Sequence, residues 1–151
     1  MPEIKQCPEI KLVGIRVLCQ GDEYLEEILK ASRQLSERRE EISNVVNESL
    51  QYGAFVVDNI SDEEDGYGVC VEVSDYENIP VDMVTLTIPS QKYAVLRHKG
   101  SNKKIREAYS ELHQWIKENG YKRATDKWHL EVFHKWTDSQ NIDVELMDTI
   151  G

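Results

Sequence analysis

Residues 128–136 set one carboxylate among aromatic rings: Trp128, Glu131, Phe133 and Trp136 fall within a single short segment. If this segment is extended, His129, Glu131 and Phe133 share one face, while Leu130, Val132 and His134 share the other. A carboxylate held in an aromatic, poorly hydrated groove is costly unless a cation or a hydrogen-bond donor accompanies it. Two chemistries follow from that: Glu131 as counter-ion to a lipophilic cation stacked on ring faces, or Glu131 as a base acting on water. The ordinary alternative is a glutamate on a solvated sheet face. Alternation puts Trp128 and Trp136 opposite Glu131 and expects one of them in the core; a bulge near Trp128 would bring that ring round to line the groove.

The remaining reactive side chains point elsewhere. Cys7, Cys19 and Cys70 are odd in number and widely spaced, and His98, His113, His129 and His134 show no ligating pattern. Reduced thiols are expected, with no disulfide framework, no metal and no cofactor. His98, beside Gly100 at the end of a strand, reads as a structural hydrogen-bonding residue.

The elements that must position Glu131 follow from periodicity. Residues 11–19 are β-branched and extended, closed by Gln20-Gly21-Asp22, where Asp22 can cap a helix. Tyr24, Leu25, Ile28, Leu29 and Leu35 recur at helical spacing, residues 36–41 interrupt with charge, and Ile42, Val45, Val46 and Leu50 resume it. This predicts one long amphipathic helix, or two joined at the charged stretch, stopped by Gly53. Residues 54–58 and 67–73 read as strands around the acidic residues 59–66, which lack calcium-loop spacing and read as a solvated hairpin tip. Residues 83–89 and 93–98 are extended around Pro89-Ser90. A second helix carries the stripe Ile105, Ala108, Tyr109, Leu112, Trp115 and Ile116, capped by Ser101 or Asn102 and ended by Asn119-Gly120. Tyr109 and Trp115 are thereby assigned to the core. Residues 129–136 and 142–147 alternate at period two.

The order is strand, helix, strand, strand, twice over. An α+β fold is predicted: one domain over 1–151, built of two βαββ repeats (about 10–75 and 83–150) related by a pseudo-two-fold axis. Two such units pair most economically into one antiparallel sheet with both helices on one face and a ligand groove between the halves on the other. With the Leu130 and Val132 face packed on the helices, Glu131 and Phe133 look into that groove. Phe55, Tyr67 and Tyr76 are the expected opposite walls from the first repeat.

Charge narrows the partners. The 151 residues carry 18 basic and 28 acidic side chains, a net charge of −10. Such a surface repels phosphate backbones, so direct DNA binding is not expected, whereas cationic partners are favoured. The apolar runs are far shorter than the roughly 20 residues of a membrane span, and no secretory leader is evident, so a cytoplasmic protein is expected.

With these elements placed, Thr85-Leu86-Thr87-Ile88-Pro89-Ser90, followed by Tyr93-Ala94-Val95-Leu96-Arg97-His98-Lys99-Gly100, resembles the "IP…YAV…H.G" signature of gyrase-inhibitor-like small-molecule-binding domains. These are also the effector-binding domains of AraC- and MerR-type regulators. The helix with Tyr109, Leu112 and Trp115-Ile116, the exit Gly120-Tyr121, the strand Leu130-Glu131-Val132-Phe133 and the closing Ile142-Asp143-Val144-Glu145-Leu146 follow in the family's order. The first half fits more loosely, through Tyr52-Gly53-Ala54-Phe55 and Gly68-Val69-Cys70-Val71-Glu72-Val73. The ending Asp148-Thr149-Ile150-Gly151, where many members carry an "iPi" ending, and the charged residues 36–41 depart from the pattern.

The resemblance implies a SOUL-like, bacterial-type effector-binding domain standing alone, without a helix-turn-helix. It implies multidrug-type binding of bulky aromatic or cationic amphiphiles, with Glu131 opposite the cation. Tyr93, at the family's tyrosine, would lend a hydroxyl and a ring to the groove; a core aromatic is the alternative. The same likeness implies a second function, hydrolysis of electrophilic cyclopropane-type genotoxins, with Glu131 activating water and Tyr93 assisting. A third is inhibition of DNA gyrase or binding of another protein partner, aided by the acidic run from Asp62 to Asp65.

Overall fold

A computed structural model describes residues 1–58 and 65–151. The acidic stretch expected as a hairpin tip therefore lies, except for Asp65 and Gly66, outside the described residues. The elements are β1 (Glu3–Cys7), β2 (Ile10–Val17), α1 (Tyr24–Arg38), β3 (Gln51–Val56), β4 (Tyr67–Val73), β5 (Val84–Ile88), β6 (Gln91–Gly100), α2 (Ile105–Glu118), β7 (Trp128–Lys135) and β8 (Ile142–Ile150). The strands form one eight-stranded sheet in the order β1-β6-β8-β7-β3-β4-β2-β5, and every pairing is antiparallel. Among the described residues no helix is long and apolar enough to cross a membrane.

The order is symmetric about its centre. β7 and β3 lie side by side, flanked by β8 and β4, then β6 and β2, then β1 and β5. The two expected units are present as β2-α1-β3-β4 and β6-α2-β7-β8. Each is preceded by a strand that crosses to the other half, β1 pairing with β6 and β5 with β2. β1 was not expected from the sequence. Its five residues alternate too briefly to register as an element.

Chain length then dictates the curvature. Only Pro8-Glu9 joins β1 to β2, and only Pro89-Ser90 joins β5 to β6, although these strands sit at opposite ends of the sheet. A link of that length reaches at most about 10 Å, so the sheet must curl until its ends meet. The Ser90 hydroxyl fastens the seam: it donates to the Cys7 carbonyl at 3.0 Å and accepts from Gln6 Nε2 at 3.2 Å. Curling divides the core. The inner face holds one strand-only cluster in which Leu12 and Ile88 from one end meet Tyr93 and Val95 from the other, over Leu130 and Val132. On the outer face α1 covers Val13, Val69 and Val71 through Ala31 and Leu35, and α2 covers Ala94, Val144 and Leu146 through Leu112 and Ile116.

This reverses one expectation. Leu130 and Val132 do not pack on the helices; they fill the enclosed inner face, so the groove does not lie on the face opposite the helices. Alternation had correctly separated Glu131 from Leu130, but which face the helices cover depends on the curl, and the curl comes from the crossed strands.

The first helix is also shorter than its apolar spacing suggests. α1 ends at Arg38, whose guanidinium donates to Glu41 at 2.8 Å and to Asp82 at 2.6 Å. Asn44 takes a left-handed φ of 64°, and Val45 bridges Val73. β-branched Ile42 and Val45 thus join the α1 core from an extended path beside β4, satisfying the same spacing without a helix. α2 follows its sequence signals. The Ser101 hydroxyl accepts from the Lys103 N–H, and Gly120, at φ +77°, lets the Tyr121 N–H return to the Ile116 carbonyl at 3.0 Å.

Candidate ligand-binding site

Between α1 and α2, over the middle of the sheet, lies a cavity of about 650 Å³. That volume suits a drug-sized molecule. α1 contributes Tyr24, Leu25, Ile28 and Leu29, α2 contributes Ile105, Arg106 and Tyr109, and the floor is Phe55, Tyr67, Glu131 and Phe133. Leu25 is 60% exposed and forms an apolar rim.

Glu131 is the polar centre, only 8% exposed. Its Oε1 accepts from the Tyr67 hydroxyl and its Oε2 from the Tyr109 hydroxyl, each at 2.5 Å. Burial raises the affinity of this carboxyl for its proton, and the two phenol donors pull it part of the way back. In turn burial, then the Glu131 charge, hold both tyrosines well above the ordinary phenol range, so they remain donors. Each hydrogen bond to a charged acceptor contributes roughly 1.5–3 kcal/mol, which offsets part of the carboxylate's desolvation.

A glycine makes room for this arrangement. Gly53 on β3 faces Val69 on β4 and Glu131 on β7. A Cβ there would lie 1.7 Å from the Tyr67 hydroxyl, so only glycine leaves Tyr67 its path across β3 to the carboxylate. Phe55 stacks on Tyr67 at 5.9 Å and on His129 at 5.7 Å. Behind this wall His129 Nδ1 stands 2.6 Å from Asp148 Oδ1, and Arg123 Nε 2.8 Å and His113 Nε2 2.9 Å from Oδ2. Burial alone would raise the Asp148 carboxyl; His129 and Arg123 hold it below the ordinary range.

The site residues expected from sequence separate into two groups. Glu131, Phe133, Tyr67 and Phe55 come together in the cavity. Tyr93, Trp128 and Tyr76 do not. Ala94 and Leu96 face α2, so Tyr93 points into the inner core, where it is 1% exposed; its hydroxyl accepts from Gln91 Nε2 at 2.8 Å, and burial pushes it up to about 12. Trp128 also packs against the inner cluster, on a separate hollow of about 140 Å³. Tyr76 sits past the end of β4 and donates to the Leu86 carbonyl at 2.8 Å. The strand irregularity falls between Phe133 and Lys135 instead of near Trp128. It brings Trp136 into the cavity lining, against the plain alternation that opposes it to Glu131.

Tyr109 packs against the α2 core, as its stripe predicts, and in addition its hydroxyl donates to Glu131. The available signal was chemical: a buried tyrosine needs a hydroxyl partner, and none of the apolar residues on its stripe provides one. Gln51 carries no signal of its own in the sequence, and alternation alone puts Trp136 on the opposite face; cross-strand register and the bulge deliver them to the cavity.

The profile of the GyrI-like small molecule binding domain matches residues 1–147. Among solved structures, SAV2435 bound to tetraphenylphosphonium superposes with a TM-score of 0.74 at 16% identity, covering 100% of this chain and 94% of that one. The EcmrR C-terminal domain gives 0.72 at 18% identity, covering 100% and 97%. A hydrolase from Listeria innocua gives 0.60 at 11% identity, covering 99% and 91%. No curated protein matches the sequence significantly. Spanning nearly the whole chain, the profile match shows that this protein belongs to the GyrI-like small-molecule binding domain family.

Proposed function

We propose that the protein captures bulky aromatic cations between its two helices, with Glu131 as the counter-ion and Phe55, Phe133 and Tyr67 as ring contacts. The observation that carries this is the carboxylate itself. It is buried in a largely apolar cavity, held by two neutral donors, and among the described residues it forms no ion pair. Such a site disfavours the ionised form until a cation arrives, and a delocalised cation that needs little hydration loses least on entering. SAV2435, which shares the fold, holds tetraphenylphosphonium, and this cation is the natural first probe. Calorimetric titration should give binding to the native protein and at least about thirtyfold weaker binding to Glu131→Gln, since a desolvated cation contact is worth about 2 kcal/mol. Neutral triphenylphosphine oxide should bind both forms equally weakly. Equal tetraphenylphosphonium affinity in the two forms would remove Glu131 from recognition.

A second reading keeps the same carboxylate and adds turnover of electrophilic cyclopropane-type genotoxins. What favours it is the raised proton affinity of Glu131, which makes it a stronger base than an ordinary carboxylate. Water would bond to the strained-ring carbon as that ring bond opens, its proton passing through Glu131 to the opened electrophile, with Tyr67 and Tyr109 as hydroxyl donors. Mass spectrometry decides it. Addition of one water to such a substrate, absent with Glu131→Gln, establishes hydrolysis; binding without a change in mass leaves capture alone.

A further inference from the structure

The cavity continues into a second space. Between the later turns of α1 and the turn that joins β7 to β8 lies a trough of about 430 Å³. Leu29, Ser32, Trp136 and Ser139 border both, so one runs into the other. The lining changes character on the way. Residues four apart on a helix share a face, and on α1 Tyr24 and Ile28 line the cavity, Ser32 stands at the junction and Ser36 lines the trough. Arg33, Glu37 and Thr137 complete it, so rings and aliphatic chains give way to hydroxyls and one charge of each sign. The fold makes little use of these groups. Ser32 accepts from Gln51 Nε2 at 2.8 Å, but among the described residues the side chains of Arg33, Ser36, Glu37, Thr137 and Ser139 make no hydrogen bond or ion pair. The next two arginines differ: Arg38 donates to Glu41 and Asp82, and Arg39 to the Glu48 and Leu50 carbonyls. Both banks are nevertheless fixed. α1 holds one, and in the other Asp138 accepts from the Gln140 N–H at 3.0 Å while the Ser139 carbonyl accepts from the Asn102 N–H, just ahead of α2, at 2.8 Å.

We infer that this trough is a second subsite, which takes a sugar-like, polyhydroxylated arm of the ligand. A polyol donates and accepts, as the hydroxyls of Ser36 and Thr137 do, and neighbouring hydroxyls on a sugar ring match the Arg33 fork of donors and the two acceptor oxygens of Glu37. A charged arm of either sign would meet a like charge, from Arg33 or from Glu37. A hydrocarbon arm would take water from these side chains and return no hydrogen bond. The inference rests on the cation reading above and deepens it: the ligand is an aromatic cation whose charge sits at Glu131 and whose glycosyl arm runs toward the C-terminal end of α1. Glu131 and Trp136 stand five residues apart along β7 and its exit, roughly 15 Å of extended chain, which sets the reach of that arm.

Calorimetric titration of three triphenylphosphonium probes tests it: the methyl compound, one carrying glucose on a short alkyl linker, and one carrying cyclohexane on the same linker. The native protein should bind the glucosyl probe about tenfold more tightly than either of the others, the effect of a few net hydrogen bonds. Ser36→Trp, at an exposed position of α1, fills the trough; it should bring the glucosyl probe to the affinity of the methyl probe and leave the methyl probe unchanged. The paired substitution Arg33→Met with Glu37→Gln keeps the bulk of both side chains and should remove most of the same advantage, a check that holds even where the tryptophan disturbs α1. Glu131→Gln should weaken all three probes by one factor and preserve their order. A native protein that binds the glucosyl probe no more tightly than the cyclohexyl or the methyl probe, or a glucosyl advantage that survives both sets of substitutions, overturns the subsite and leaves the cation reading standing. Failure of all three probes to bind overturns that reading and the subsite with it.

Discussion

The two repeats place the same backbone on either side of the central axis and fill it differently. Tyr52-Gly53-Ala54-Phe55 on β3 and Leu130-Glu131-Val132-Phe133 on β7 occupy corresponding strands, and they pair with each other so that Gly53 faces Glu131. Each strand carries a phenylalanine two residues on, and both rings reach the cavity. At the axis itself one repeat gives a carboxylate and the other gives nothing. Two glutamates facing each other there would repel in a poorly hydrated space, and two glycines would leave the cavity neutral. The helices divide the work in the same sense: α1 offers an apolar rim with Leu25 exposed, while α2 sends Tyr109 to the carboxylate. Repeat one makes room and repeat two supplies charge, with the Tyr67 hydroxyl crossing from the first to the second.

Filling the empty half should do the most damage. Gly53→Ala puts a methyl group where the Tyr67 hydroxyl lies, and the combined overpacking and lost hydrogen bond should lower stability by about 3 kcal/mol or more, read from the urea midpoint. A loss under about 1 kcal/mol would mean that Tyr67 swings aside freely and that the glycine is incidental. Next come the two donors. Tyr67→Phe and Tyr109→Phe should each lose roughly 1.5–3 kcal/mol at pH 7 and less at pH 4, where a protonated Glu131 no longer needs both. Similar losses would show the carboxylate held evenly by the two repeats; a tenfold imbalance in unfolding equilibrium would assign it to one.

The pH dependence of Glu131 has a definite sign. Because burial raises its folded value above the ordinary 4.5, its contribution is fully present below that pH and is lost as pH rises through the folded value. Glu131→Gln should therefore flatten the profile above about pH 4.5 and stabilise the empty protein at neutral pH. Asp148 runs the other way, since its lowered value adds stability that is lost on acidification, so the comparison is made between variant and native protein at each pH. The smallest effects belong to the paired rings. Phe55→Leu and Phe133→Leu should cost about 1 kcal/mol each by thermal melting, with Phe55 the larger because it stacks on both Tyr67 and His129.

What the sequence revealed follows a physical boundary. The βαββ repeat, the α2 caps and the opposition of Glu131 to Leu130 are local properties of period and turn chemistry, and all appear in the structure. The site residues divide along the same boundary. Phe133 follows Glu131 by strict alternation and lies beside it; Tyr93, carried over from the family's motif, lies on the inner face, because the parity of β6 is set by what α2 covers. Gly53, Tyr109 and Gln51 acquire their positions only through pairing between strands and helices far apart in the chain, and Trp136 through a bulge. Likewise residues 42–50 carry a helical spacing that a sheet neighbour, Val73, claims for extended structure.

The crossed edge strands carry a consequence for how this molecule assembles. β1 completes the half that contains α2, and β5 completes the half that contains α1, so each repeat is finished by a strand covalently belonging to the other. The arrangement is that of an interlocked dimer whose protomers have been fused into one polypeptide. Each repeat is therefore expected to need the other in order to fold, and β1 cannot dock on β6 until some ninety residues of intervening chain have been made. Nicking the connector between β4 and β5 should yield two fragments that are unfolded apart and restore the whole when mixed. For a cavity on the midline between the halves, this interlock keeps the two walls in register whether or not anything is bound between them.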